Sequence, residues 1–422
     1  NGYNGVFVCD KNLKILGIIT DSDLRKLILN NKYKKSLSAK KVMNKNYLSI
    51  NQIKKFSDYE KILINSEKSL IPITKERKLI DFIHLTDLKK NTKKKTNRIL
   101  IIGGFGYIGS ILTEFLLNKG KKVTILDKKF YGNFLSKKII KNKRLKIIVG
   151  DCFDKVKITK ALKDCKHVVH LGEIVGDPAT NINHDFSIRN NYENTNFVLS
   201  ECIKHNIEKF IFASSCSVYG QTDDLCNEKS KLRPVSLYAK CKIASEKTIL
   251  SYKSKTFCPV ILRLSTVYGD SFRKRFDLVV NRFVIMTIKK IKINLFGATS
   301  WRPFISVNDV VRAFVKVLNT KNETVKNEIF NVGGQSENYR IIDILKIISK
   351  YHPTDYNLTK NVDDKRNYKV SFKKISKKLN FRLTNSLSEI IKKLLKKYSK
   401  EKINIDNINY YNEKKIFSIL NK

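Results

Sequence analysis

A chain of 422 residues is long enough for more than one domain and a sizeable core, and it carries 84 Lys+Arg against 38 Asp+Glu, a formal net charge of +46. The basic residues are spread along the whole sequence without an aromatic-interleaved stripe or an RNA-binding motif, so the charge reads as a solvated lysine surface and nucleic acid is not an expected partner. No apolar run is long enough to span a bilayer and no signal peptide is recognisable, while eight cysteines without a C-x-x-C pair read as reduced thiols of a cytoplasmic protein, with no metal site expected.

The first ninety residues read as a separate α+β unit. Residues 5–9 and 14–20 are short strands around the turn Asp10-Lys11-Asn12, and 21–29 follow as a helix. Strand–turn–strand–helix then recurs in SLIPITKERKLIDFIHLTDLKK, which marks an internal repeat. The run GVFVCDKNLKILGIITDSDLRKLI resembles the second half of a CBS motif, the adenosine-sensing repeat that works in pairs, and KKVMNKNYLSI resembles the start of a second copy. The resemblance implies an adenylate ribose held by Thr20 and Asp23; the second copy has His84 and Asp87 and departs from the pattern. Dimerisation platform and nucleotide sensor both stay open as roles. The first copy lacks its opening strand and helix, which, with Asn1 in place of Met, suggests a truncated N-terminus. Residues 91–97, NTKKKTN, read as a linker between this pair (1–90) and a larger domain (98–400).

The larger domain opens with RILIIGGFGYIGS. A buried strand over 99–102 breaks at Gly103-Gly104 and a helix starts near Tyr107 and Ile108, with Gly103, Gly106 and Gly109 in G-x-x-G-x-x-G spacing. Glycines let the backbone turn tightly and approach a pyrophosphate, which the helix N-terminus attracts. A second strand, 122–126, ends in Asp127, where a carboxylate can take the ribose hydroxyls and would repel a 2′-phosphate; NAD is therefore expected over NADP. A third, 146–149, ends at Gly150-Asp151. Helices over 155–163, 194–205 and 235–251 alternate with strands over 167–171, 209–213 and 260–264. That alternation predicts an α/β, doubly wound parallel sheet of Rossmann type with ligands at its carboxyl edge. Beyond Val267 parallel-strand signals thin out into a smaller substrate lobe, with helices over 339–350 and 387–398, and 401–422 read as an Asn- and Lys-rich tail without a motif.

Candidate chemistry lies in Ser215, Tyr238 and Lys242. Y-x-x-x-K puts phenol and ammonium on one helix face. An unperturbed tyrosine has a pKa of about 10, and a nearby ammonium lowers it, so that Tyr238 can take a proton while hydride leaves the same carbon for a nicotinamide. The same spacing recurs at Tyr356/Lys360, Tyr398/Lys402, Tyr410/Lys414 and Tyr411/Lys415, but only Tyr238 follows a strand that ends in serines behind a dinucleotide turn.

Residues 98 to about 395 resemble the extended short-chain dehydrogenase/reductases, in their nucleotide-sugar epimerase/dehydratase branch. The phrases GGFGYIGS, FASSCSVYG, YAKCKIASEK, LRLSTVYG and SWRPFISVNDV carry the resemblance. It implies NAD on Gly103, Gly106, Gly109 and Asp127, with Asp151 at the adenine. It further implies Ser215 and Tyr238 at the reacting oxygen, Lys242 also on the nicotinamide ribose, and Arg302, Asn281 and Arg366 on a nucleotide-diphosphate sugar. A homodimer is implied as well. Two departures stand out: His170-Leu171-Gly172-Glu173 replaces a frequent His-Leu-Ala-Ala, and Cys216-Ser217 replaces the Asp-Glu that dehydratases place after the catalytic Thr. The expected activity is a nucleotide-sugar 4-epimerase. A dehydratase or 4-ketoreductase of the same branch and a catalytically silent nucleotide-sensing scaffold are the alternatives.

Overall fold

The computed structural model describes residues 5–29, 36–51, 62, 66, 70–76, 78–84, 96–252, 256–359 and 366–421. The chain divides into two compact units, Asn1–Lys94 and Lys95–Lys422. In the first, Gly5–Cys9 and Ile15–Thr20 pair antiparallel and the helix Asp21–Leu29 follows. Asp10 ties their turn, its Oδ1 accepting from the N–H groups of Asn12 at 2.9 Å and Lys14 at 2.8 Å, a local bond that favours a turn over a continued strand. Leu70–Lys75 and Lys78–His84 repeat the antiparallel pair, and Ile50–Asn51 adds a short parallel strand. Asp87, the helix expected beside it and residues 91–95 of the expected linker lie outside the described residues.

The second unit is built on seven parallel strands: β1 (Arg98–Ile102), β2 (Lys122–Asp127), β3 (Leu145–Val149), β4 (Cys165–His170), β5 (Lys209–Ser215), β6 (Cys258–Leu264) and β7 (Glu328–Val332). Their order across the sheet is β7-β6-β5-β4-β1-β2-β3. Side chains alternate between faces with the period of two that a strand imposes: Ile99 and Ile101 enter one core, Leu100 and Ile102 the other. A sheet covered on both sides needs continuous apolar runs, and all seven residues of β6 are buried. The helices Tyr107–Asn118 and Val307–Asn319 cover one face, and Lys155–Leu162 and Asn194–Lys204 the other. Strand order reverses between β1 and β4, which opens a crevice at the carboxyl edge.

The substrate lobe has its own core, in which Phe276, Val284, Ile344, Leu387 and Ile391 are buried. It contains short parallel pairs that the sequence does not announce: Thr266–Tyr268 with Trp301–Ser306, and Ile293–Leu295 with Tyr356–Leu358. Three residues are too few to show a period of two. The expectation of a motif-free tail over 401–422 is corrected. Asn412–Leu420 is a helix whose Ile416 is fully buried in a cluster with Ile174 and Ala179. Among the described residues no helix is long and apolar enough to cross a membrane.

Candidate active site

The end of β1 forms the first wall of a cavity of about 680 Å3 at the carboxyl edge of the sheet. Gly103 turns there with φ +84°, and a Cβ added at Gly109 would collide with the Gly103 carbonyl oxygen. Glycine is thus required at both positions, and the bare turn leads directly into the helix Tyr107–Asn118, whose N-cap is Gly106. The helix N-terminus favours anionic groups. Gly103, Gly106, Tyr107, Ile108 and Gly109 all line the cavity, as does Asp127 at the end of β2. Asp127 Oδ2 accepts from the Phe105 N–H at 3.0 Å and Oδ1 from the Lys129 N–H at 2.7 Å. Burial nevertheless raises its pKa above the ordinary carboxylate value, more than these two donors lower it. A glycine cradle, a helix N-terminus and a carboxylate around a cavity of this size fit a dinucleotide.

Opposite this wall stand the catalytic candidates. Strand β5 ends in Ser215, and the helix Leu237–Ser251, capped by the Ser236 hydroxyl, carries Tyr238 and Lys242 one turn apart. All three line the cavity. The Lys242 ammonium lies 5.6 Å from the centre of the Tyr238 ring and 4.6 Å from that of Phe212, and it donates to the Ala213 carbonyl. Ser215 stands near enough to the Tyr238 phenol to lower its pKa slightly. Lys242 and Ser215 lower the phenol pKa, as expected from sequence, yet the net direction is upward. Burial is the largest cause, and Glu173 and Asp177 add to it. None of Tyr356, Tyr398, Tyr410 and Tyr411 lines the cavity; Tyr398 instead donates to Asp270 at 3.0 Å.

The residues expected on a sugar nucleotide divide. Arg302 is 4% exposed, donates to the Trp301 carbonyl at 2.8 Å and lies over the Tyr368 ring at 5.3 Å, with the cavity beside it. Arg366 also lines the cavity and pairs with Asp177 at 3.2 Å. Asn281 is a correction: it is fully buried and not on the cavity wall, and its amide is committed to the protein. Its Oδ1 accepts from the Gly269 N–H at 2.9 Å, and its Nδ2 donates to the carbonyls of Gly269 and Arg275, both at 3.1 Å. Asp151 stands next to the wall rather than on it, paired with Lys128 at 2.7 Å.

Three features of the site have no role assigned by the sequence. Glu173, just beyond β4, is in contact with Lys242. Arg273 lies 3.6 Å over the Tyr131 ring and donates to the Asn409 carbonyl and the Asn412 side chain. Burial, followed by Arg275, brings its pKa down to about 10. Asn412 and Glu413, in the segment read as a tail, themselves line the cavity.

A model of the NAD dependent epimerase/dehydratase family matches residues 99–333, more than half of the chain, and a CBS domain model matches residues 1–30. The chain is 30% identical over 262 residues to a protein of Bacillus subtilis (strain 168) described as an uncharacterized UDP-glucose epimerase, covering 60% of this chain and 80% of that one. It is 28% identical over 288 residues to a UDP-N-acetyl-alpha-D-glucosaminuronate decarboxylase of Bacillus cytotoxicus, covering 66% and 84%. The UDP-glucuronic acid 4-epimerase of Bacillus cereus, solved with UDP-glucuronic acid and NAD, superposes with a TM-score of 0.63 at 29% identity, over 71% of this chain and 99% of that one. The chain belongs to the NAD dependent epimerase/dehydratase family.

Proposed function

We propose that this chain is an NAD-dependent nucleotide-sugar epimerase that inverts a sugar carbinol carbon through transient oxidation. The observation that carries this reading is the convergence of Ser215, Tyr238 and Lys242 on the cavity lined by the glycine turn and Asp127. NAD, when bound, supplies the acceptor and later the donor of hydride. Tyr238, as phenolate, takes the proton of the sugar hydroxyl, Ser215 holds the same oxygen, and Lys242 supports the negative charge on the phenol. The resulting ketone turns over in the cavity, and Tyr238 returns the proton once hydride has come back to the opposite face. Arg302 and Arg366 hold the diphosphate, which suits planar guanidinium groups. The substrate is a UDP-linked sugar, in line with the Bacillus subtilis relative and the Bacillus cereus structure.

Dehydration is disfavoured at this site. Where a dehydratase needs an acid and a base, Cys216 is fully buried, with its thiol directed to the Arg263 carbonyl at 3.3 Å, and its neighbour is Ser217. The test is incubation with a panel of nucleotide sugars and analysis by mass spectrometry and NMR. An isomer of unchanged mass supports the proposal; loss of water or of carbon dioxide overturns it.

The CBS-like unit takes an adenine nucleotide at Thr20 and Asp23 and adjusts the activity of a homodimer. Thr20 supports this: its N–H and its hydroxyl both donate to Asp23 Oδ2, at 2.8 and 2.7 Å, which sets hydroxyl and carboxylate side by side at a helix start.

A further inference from the structure

We propose that Glu173 is a positioning residue of the reaction, holding the Lys242 ammonium beside Tyr238 through a buried ion pair. The inference rests on the assignment of Tyr238 and Lys242 made above. Glu173 occupies a position where the resemblance leads one to expect alanine, and its side chain is 3% exposed, against 4% for Lys242. Burial raises the Glu173 carboxyl above the ordinary carboxylate range, and Lys242 and the Thr195 hydroxyl oppose it, so the carboxylate depends on these partners to stay ionised. Oε2 is in contact with the ammonium, and Oε1 accepts from the Thr195 hydroxyl at 3.0 Å. That hydroxyl has one hydrogen and three neighbours: Glu173, the Asn191 carbonyl at 2.6 Å and His170 Nε2 at 2.9 Å. The carbonyl and the carboxylate only accept, so His170 is the donor through Nε2–H. This agrees with its burial, which pushes its pKa down to about 3 and keeps it neutral. The chain Lys242–Glu173–Thr195–His170 therefore ends in the protein interior.

Other elements packed around the pair also bring ionisable groups. The helix Leu237–Ser251 supplies Cys241 and Glu246 as well as Tyr238, and Asp177, paired with Arg366, and Cys152 stand nearby. Among these the opposing influences on Tyr238 are clear in sign: Lys242 lowers the phenol and Glu173 raises it. Burial works against the charge on Lys242, but Glu173 and Tyr238 outweigh it, and the ammonium persists to higher pH. Glu173 thus keeps Lys242 cationic and fixed while moderating the field that Tyr238 experiences.

Removing the anion should move both groups in the same direction. In Glu173→Gln, Tyr238 ionises at lower pH and Lys242 loses its proton at lower pH. Both limbs of the kcat/KM profile should shift acidward by about one unit, the scale of a neighbouring charge. Glu173→Asp keeps the charge and should keep the limbs near their wild-type positions. An ultraviolet difference titration against Tyr238→Phe provides the same readout without substrate, since the phenolate band of Tyr238 should appear at lower pH in Glu173→Gln. It thereby separates failure of this inference from failure of the epimerase assignment. Loss of activity in Glu173→Gln with both limbs and the phenolate band unmoved would overturn the proposal, as would unchanged activity and unchanged titration.

Discussion

The Tyr107 hydroxyl donates to the Gly269 carbonyl at 2.6 Å, joining the first residue of the glycine-turn helix to the start of the substrate lobe. Asn281 completes the joint, its Nδ2 donating to the same hydroxyl at 3.2 Å. Tyr107 also lines the cavity, whereas Asn281, expected on the nucleotide sugar, serves this joint instead. Tyr107→Phe removes one of two donors to the Gly269 carbonyl, while Asn281 Nδ2 keeps the carbonyls of Gly269 and Arg275. The loss of one such hydrogen bond costs about 0.5–1.5 kcal/mol. The melting temperature should fall, while kcat of the folded fraction stays within a few-fold of wild type.

NAD should bind in preference to NADP, because a 2′-phosphate would face the Asp127 carboxylate. Burial raises this carboxyl, so it takes up its proton at a higher pH than an exposed aspartate. Only the ionised form repels a phosphate and accepts from both ribose hydroxyls. Calorimetry should therefore show NAD affinity falling as pH is lowered into the range where Asp127 protonates. In Asp127→Asn that pH dependence should vanish and the NAD/NADP difference should narrow.

Tyr238→Phe removes only the ionisable oxygen. Proton-transfer groups contribute about 10²–10⁴-fold, and turnover should drop by that order with NAD affinity preserved. Tyr356→Phe keeps full activity, because Tyr356 is exposed on its strand and is not on the cavity wall.

The C-terminal helix should behave as part of the cofactor site. Asn412 accepts from Arg273 Nη2 at 2.6 Å and donates through Nδ2 to the Val175 carbonyl at 2.8 Å. A chain shortened to residue 404 loses both bonds and uncovers Ile174 and Ala179. NAD should then dissociate faster, and the melting temperature should fall; equal release rates for the two chains would show that the helix has no part in retention.

Adenine-nucleotide binding at the CBS-like unit is checked by titrating AMP, ADP, ATP and S-adenosylmethionine into the full chain. Asp23→Ala should abolish binding and its effect on turnover. Binding that survives the substitution and leaves both turnover and oligomeric state unchanged would leave that unit a structural platform.

How much of this was legible beforehand follows from the range of each signal. The strands of the sheet show because each is a local apolar run bounded by a turn, and the glycine turn shows because its spacing is local too. Ser215, Tyr238 and Lys242 are readable for the same reason. Glu173 is not, because its meaning depends on Lys242, which a separate helix brings to it across the sheet edge. The resemblance places Asn281 on a nucleotide sugar, and only the fold shows its amide spent on Gly269 and Arg275. The C-terminal helix shows a similar limit. One buried Ile416 and Asn412 at the helix start carry its docking, too sparse a pattern to stand out among lysines and asparagines.

In the proposed reaction hydride leaves a sugar carbon and returns to the same carbon within one binding event. Epimerisation of a UDP-hexose deuterated at the inverted carbon tests it directly. An inverted product that retains the deuterium at that carbon is expected, with no NADH accumulating. Deuterium washed out to solvent, or stoichiometric NADH with a released keto sugar, would contradict it.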